Sequence, residues 1–136
     1  MFVSRGFGER IEVSGSSDIE AMHFDQDGLR IYIAQERDHQ DIISGLIVEF
    51  AGARKFRCLD ESDIADYLAS PEFIHGYNVL EVLAGGWSAE IHSLSGYGCG
   101  LREWLVATGN LCISVISGEE PLIRQLRWSL DKGPQA

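Results

Sequence analysis

Apolar and polar residues alternate along several stretches of the chain, and this period of two residues is typical of β-strands. Residues 45–59, GLIVEFAGARKFRCL, contain two such stretches separated by a glycine-containing loop. A three-residue loop places Val48 opposite Phe56 and Leu46 opposite Cys58, so that the apolar side chains share one face. The pattern therefore predicts a β-hairpin over this segment.

A short helix is predicted to follow this hairpin. Asp60 is a favourable N-cap residue, and an apolar stripe at helical spacing begins at Ile64. Pro71 disfavours the helical conformation in the residue before it. We therefore expect a helix over 61–69. Because so short a helix is not stable alone in water, we expect it to dock on the sheet.

A second hairpin is predicted over 20–35, with its turn at Asp27-Gly28, a preferred two-residue turn. In this register Phe24 lies opposite Ile31, and one face of the hairpin is apolar. The surrounding sequence DQDG has the start of a calcium loop, but the carboxylates that such a loop needs further on are missing. The sequence therefore favours a turn over a metal site.

A third hairpin is predicted over 102–117, with the two-residue turn at Gly109-Asn110. This turn brings apolar residues of the two strands together as cross-strand pairs. The predicted pairs are Trp104–Val115, Val106–Ile113 and Thr108–Leu111.

The remaining segments complete the predicted fold. Residues 78–92 contain two strands around Gly85-Gly86, which form either a turn or a bulge within 84–87. The stretch 117–130 has Pro121 at a position suited to the first helical turn and an apolar stripe after it, so we expect a short C-terminal helix. Residues 10–14 could form an edge strand that pairs across a homodimer.

Together these elements predict a single domain over residues 1–136 of the α+β class. Its main part is an antiparallel sheet built from hairpins, either strongly curved or folded into two packed layers. One central helix covers a face or an open end of the sheet, and the short C-terminal helix packs at its edge.

Composition narrows the classes of partner. The formal net charge is −10 and the calculated isoelectric point is about 4.7, so the chain repels nucleic acids and anionic membranes and suits a protein with a basic surface. No apolar run approaches the roughly 18 residues of a membrane span, and no apolar leader opens the chain. The three cysteines show no CxxC spacing. We expect a reduced, cytoplasmic protein.

Catalytic and metal-binding motifs are missing from the sequence. No serine or cysteine has a recognisable partner base, and Cys99, in a glycine-rich stretch, has no histidine assigned to it. The four histidines lack ligand spacing. We therefore expect no catalytic residue, no metal site and no cofactor.

Aromatic residues beside glycine-rich turns are the candidate binding residues. Trp87 and Tyr97, together with Glu90 and His92, fit the anchors that interfaces use, although both aromatic residues could instead belong to the core. As an alternative, Glu81 could join Glu90 and His92 in a cleft that binds a small molecule or supports a minor enzymatic activity. The sequence does not determine whether these three side chains converge.

Three runs within 45–121 resemble small bacterial proteins, some of which are immunity proteins encoded beside toxin genes. These runs are FRCLDESDIADYL, EVLAGGW with Glu90 after it, and EWLVATGNLCISVIS followed by Glu-Glu-Pro. The resemblance implies a single-domain cytosolic protein that inhibits a toxin, and it assigns no functional residue. We therefore expect a non-enzymatic, protein-binding module of immunity-like or regulatory type.

Overall fold

The computed structural model describes residues 3–8, 17–60, 77–87, 101–109 and 111–134. These residues form nine β-strands, and no helix is among their elements. The strands are β1 (Val3–Gly6), β2 (Asp18–Asp25), β3 (Gly28–Arg37), β4 (Ile42–Phe50), β5 (Ala53–Leu59), β6 (Val79–Ala84), β7 (Arg102–Ala107), β8 (Cys112–Ser117) and β9 (Leu122–Ser129).

The strands form two antiparallel sheets that pack face to face as a sandwich. The five-stranded sheet has the order β1-β6-β7-β8-β5, and the four-stranded sheet has the order β2-β3-β4-β9. Alternate residues of both sheets fill the layer between them, as the period of two requires. The buried residues of this layer are Leu29, Ile31, Ile33, Leu46, Val48, Phe50, Val79, Trp104, Val106, Ile113 and Val115.

The predicted α+β class is therefore wrong for the described residues, which are antiparallel β-sheet in two layers. The segment predicted as a C-terminal helix forms β9 and pairs with β4 along its whole length. Ile123 faces the shared core while the neighbouring Leu122 faces outward, so the two residues do not share one stripe. The predicted helix over 61–69 lies outside the described residues.

The predicted hairpin over 45–59 is also wrong, although both of its strands exist. After the turn at Ala51-Gly52 the chain passes from one sheet to the other, so β4 pairs with β3 and β9 while β5 pairs with β8. Val48 and Phe56 both contact the shared core from opposite sheets. The alternation predicted correctly which face of each strand is apolar, but it carries no information about which strand lies alongside.

The other two hairpins are present. In the 102–117 hairpin, Trp104 pairs with Val115 and Val106 with Ile113, which confirms the predicted register. In the 20–35 hairpin, Phe24 pairs with Leu29 instead of Ile31. This shift of two residues keeps the same side chains on the apolar face.

Strand β6 confirms the first strand predicted within 78–92, and it lies inside its sheet, between β1 and β7. Strand β1 was missed, because its four residues carry little alternation and pair only with β6. Strand β6 ends at Ala84, and Gly86 then lies against the carboxylate of Glu103 on the outer face of the five-stranded sheet. The second predicted strand, 87–92, and the edge strand 10–14 lie outside the described residues, apart from Trp87.

Gly45 on β4 is required by its neighbours. A Cβ atom there would collide with the carbonyl oxygen of Ile33 and approach the ring of Trp128 to 2.8 Å. At Gly52, in contrast, the nearest side-chain atoms lie at 3.4 Å. Trp128 is therefore able to lie over the outer face of the four-stranded sheet only because position 45 has no side chain.

We predict that Gly45→Ala lowers the free energy of unfolding by roughly 1–3 kcal/mol, because the backbone of β3 or the Trp128 ring must move. Gly52→Ala, the matched control, should change it by less than about 0.5 kcal/mol. Urea denaturation monitored by tryptophan fluorescence measures both values. Equal stabilities for the two variants would contradict this packing.

Candidate binding surface at one end of the sandwich

Three connections lie at the same end of the sandwich, which we call the turn end. They are the β2–β3 turn at Gln26-Asp27, the β4–β5 turn at Ala51-Gly52 and the β8–β9 connection at 118–121. A hydrogen bond from the amide of Gly118 to the carbonyl oxygen of Gly52, 3.4 Å long, joins two of these connections. Loops at the end of a rigid sandwich are a common location for binding residues.

The turn end carries exposed apolar side chains. Of the four large apolar residues that are exposed in the described part of the chain, Phe24, Leu83 and Leu122 lie here, with 54, 53 and 58 % of their surfaces accessible. The fourth, Leu130, lies at the opposite end. The Phe24 ring packs against Phe56 of the other sheet, with 5.1 Å between ring centroids, which holds it in place at the surface.

Acidic residues also lie on ordered turns at this end of the sandwich. Asp25 accepts a 2.9 Å hydrogen bond from the backbone amide of Asp27 and pairs with Arg30 at 2.6 Å. In the β8–β9 connection, the Ser117 hydroxyl donates to the carbonyl oxygen of Glu119 at 2.9 Å. The side chains of Asp27 and Glu119 are thus presented from turns that are fixed by local hydrogen bonds.

A buried carboxylate links the strands just below this surface. Glu81, whose side chain is 7 % exposed, accepts hydrogen bonds from Arg5 at 2.8 Å and from Arg102 at 2.7 Å. Arg102 also pairs with Glu120 at 3.4 Å, and its guanidinium carbon lies 4.8 Å from the ring centroid of Trp104. The chain of charges therefore ties β1, β6 and β7 to the β8–β9 connection.

These contacts fix the ionisation state of Glu81. The hydrogen bond from Arg102, followed by that from Arg5, holds the pKa of Glu81 below its ordinary value, although burial alone would raise it. The group is therefore a carboxylate at neutral pH and is suited to holding the strands together. It is poorly suited to act as a general acid or base at neutral pH, since that requires a pKa near the working pH.

The predicted site residues are only partly described. Trp87 is half-buried, and the guanidinium carbon of Arg57 lies 4.6 Å from its ring centroid, over the outer face of the five-stranded sheet. Glu90, His92 and Tyr97 lie outside the described residues, so the convergence of Glu90 and His92 with Glu81 stays a prediction.

The sequence pattern does not identify the surface residues at the turn end as a binding site. Phe24 belongs to an alternating apolar run, Leu83 to a nearly continuous apolar run, and Leu122 to the stripe that predicts a helix. None of these patterns indicates that the residue is exposed. The acidic turn residues Asp25 and Asp27 were assigned only to a turn. The one available signal was the position of Phe24 immediately before that turn, where a strand leaves the core.

Groups of metal-ligating side chains are absent from the residues that the structure describes. The same residues contain no helix with the length and apolar character of a membrane span. Of the two cysteines described, Cys58 is exposed and Cys112 is buried, and burial raises the pKa of the Cys112 thiol. A low-pKa, reactive thiolate is therefore not favoured at Cys112.

Comparison of the chain with protein-family models, with curated proteins and with solved structures finds no match. The fold and the site together define an antiparallel β-sandwich with an acidic and apolar surface at its turn end.

We predict that Glu81→Gln lowers the free energy of unfolding by roughly 1–3 kcal/mol near neutral pH, because two arginines lose a charged acceptor. Glu49→Gln, which breaks the more exposed pair with Arg124, should cost less than about 1 kcal/mol. Urea denaturation of each variant provides the measurement.

The stabilities of the wild type and Glu81→Gln can also be compared as a function of pH. Since the folded-state pKa of Glu81 is lowered, its stabilising contribution is complete above the unfolded-state pKa of about 4.3 and is lost as the pH falls through the folded-state value. The difference between wild type and Glu81→Gln should therefore be constant at neutral pH and shrink below about pH 4.3. A difference that grows on acidification would show that Glu81 is not held as a carboxylate.

Proposed function

We propose that the protein is a non-enzymatic binding module that recognises a protein partner with a basic surface in the cytoplasm, in an immunity-like or regulatory role. The observation that carries the proposal is that Phe24, Leu83 and Leu122 are all exposed at the turn end, where the acidic residues Asp27 and Glu119 are exposed as well. Apolar anchors within a polar rim are the usual composition of a protein interface.

The charge of the chain supports a basic partner. A net charge of −10 produces a long-range field that attracts cationic surfaces and raises the rate of encounter. Phe24 supplies a rigid aromatic anchor, because the Phe56 ring already restricts it before binding.

The resemblance of three sequence runs to immunity-type bacterial proteins supports a toxin as the partner. A toxin that acts on nucleic acid commonly carries a basic surface, since it must bind phosphate groups, and such a surface complements an acidic inhibitor. A toxin gene beside the gene for this chain would favour the immunity-like role, whereas a regulatory or metabolic neighbour would favour the regulatory one.

We predict that the partner captured from the native host by the full chain binds the double variant Leu83→Ser/Leu122→Ser at least about tenfold more weakly than the wild type, because two exposed anchors are removed. Leu130→Ser, at the opposite end of the sandwich, is the matched control and should retain wild-type affinity. Isothermal titration calorimetry with the purified partner gives the dissociation constants.

A second comparison tests whether the acidic residues at the turn end contribute to binding. Asp27→Lys/Glu119→Lys should slow association and weaken its dependence on salt, while Asp131→Lys at the opposite end should not. Failure to capture any specific partner, or an equal loss of affinity with Leu130→Ser, would contradict the proposal.

A further inference from the structure

A cleft opens between the two sheets on the side where β1 and β6 face β9. Its volume is about 450 Å³, within the range of about 300–1,000 Å³ that is typical of small-molecule sites. The lining residues are Phe7, Gly8, Leu46, Asn78, Val79, Ile123 and Gln125. The cleft shares none of these residues with the apolar surface at the turn end.

Hydrogen bonds fix the walls of the cleft, one of them between the two sheets and the others within the five-stranded sheet. Gln35 of β3 donates to the side-chain oxygen of Asn78 at 3.0 Å, and the Asn78 side chain donates to the carbonyl oxygen of Ala107 at 2.9 Å. The amide of Phe7 donates to the carbonyl oxygen of Val79 at 2.9 Å, which fixes the segment after β1 as one wall. The cleft is therefore formed before any ligand enters, as in most small-molecule sites.

Among the residues that the structure describes, none that lines the cleft is ionisable, although the whole chain carries a net charge of −10. An ion placed between these residues would lose its hydration without gaining a counter-charge from them, and this cost disfavours charged ligands. Phe7, Leu46, Val79 and Ile123 provide an apolar interior.

Gln125 provides the polar group of the cleft. It lies on the face of β9 that points toward the five-stranded sheet, two residues after the core-facing Ile123, and it is exposed at the opening. Within the described part of the chain its amide has no hydrogen-bond partner, whereas the Asn78 amide donates both of its N–H groups, to Ala107 and to Ser17. Gln125 is therefore available to donate to, and accept from, one polar group of a ligand.

We propose that this cleft binds an uncharged small molecule that has an apolar body and one hydroxyl, carbonyl or amide group. The body lies against Phe7 and Ile123 between the sheets, and the polar group bonds to Gln125 at the opening. This site is separate from the protein-binding surface proposed above, and either can exist without the other.

The neutral fluorophore N-phenylnaphthylamine, titrated into the full chain, tests the site. We expect saturable binding of one probe per chain. Ile123→Trp, which fills the cleft, should reduce probe affinity at least about tenfold, while Arg124→Trp on the adjacent, outward-facing position should leave it within about twofold. Absence of saturable binding, or equal affinity in the two tryptophan variants, would overturn the proposal.

Competition with matched ten-carbon compounds tests the ligand class. Decanol should displace the probe, whereas decanoate and decylammonium should do so at least about tenfold less well, since their charges are unpaired in the cleft. Gln125→Leu should weaken the binding of decanol by about 2–10-fold and leave the affinity of the probe unchanged. Because Gln125 is exposed, this variant remains informative if Ile123→Trp does not fold. Displacement by decanoate as effective as by decanol, or no effect of Gln125→Leu on decanol, would overturn the assignment of the ligand class.

Discussion

The apolar layer shared by the two sheets is the constraint on which the rest of the structure depends. Strands β3, β4, β7 and β8 each contribute alternate side chains to it, including Ile31, Val48, Val106 and Ile113, which have no accessible surface. Each such side chain contributes about 1.5–3 kcal/mol when it leaves water. No single sheet could bury this surface alone, so the two sheets form together. In each strand, the side chains that face the shared layer must be apolar, and this requirement fixes the register.

The polar features lie where this layer stops. At the turn end, Glu81 occupies a position on the inner face of β6 and is buried only because Arg5 and Arg102 compensate its charge. The hydrogen bond from Gln35 of β3 to Asn78 bridges the sheets, and on the side of β1 and β9 the layer opens into the cleft. The proposed protein-binding surface and the proposed ligand site are thus two different boundaries of one core.

The sequence predicts strands β2 to β8, because strand formation depends on the local period of two residues, but it misses β1. It also predicts the register of the 102–117 hairpin, since that follows from a two-residue turn. It does not predict that β4 and β5 belong to different sheets, or that 122–129 is a strand, because tertiary pairing decides both. Nor does it predict the binding surface, since the exposure of Phe24 and Leu83 depends on neighbours that are distant in the chain.

Backbone Hα–Hα nuclear Overhauser effects of the isotopically labelled full chain test the sandwich most directly. Paired strands lie about 4.8 Å apart, whereas packed sheets lie about 10 Å apart, so these contacts distinguish pairing from packing. The sandwich predicts contacts at alternate positions between 42–49 and 122–129, around the pair Val48 and Ile123, and none between 45–50 and 54–58. Contacts linking Val48 to Phe56 through their backbones, or a helical pattern over 122–129, would contradict it.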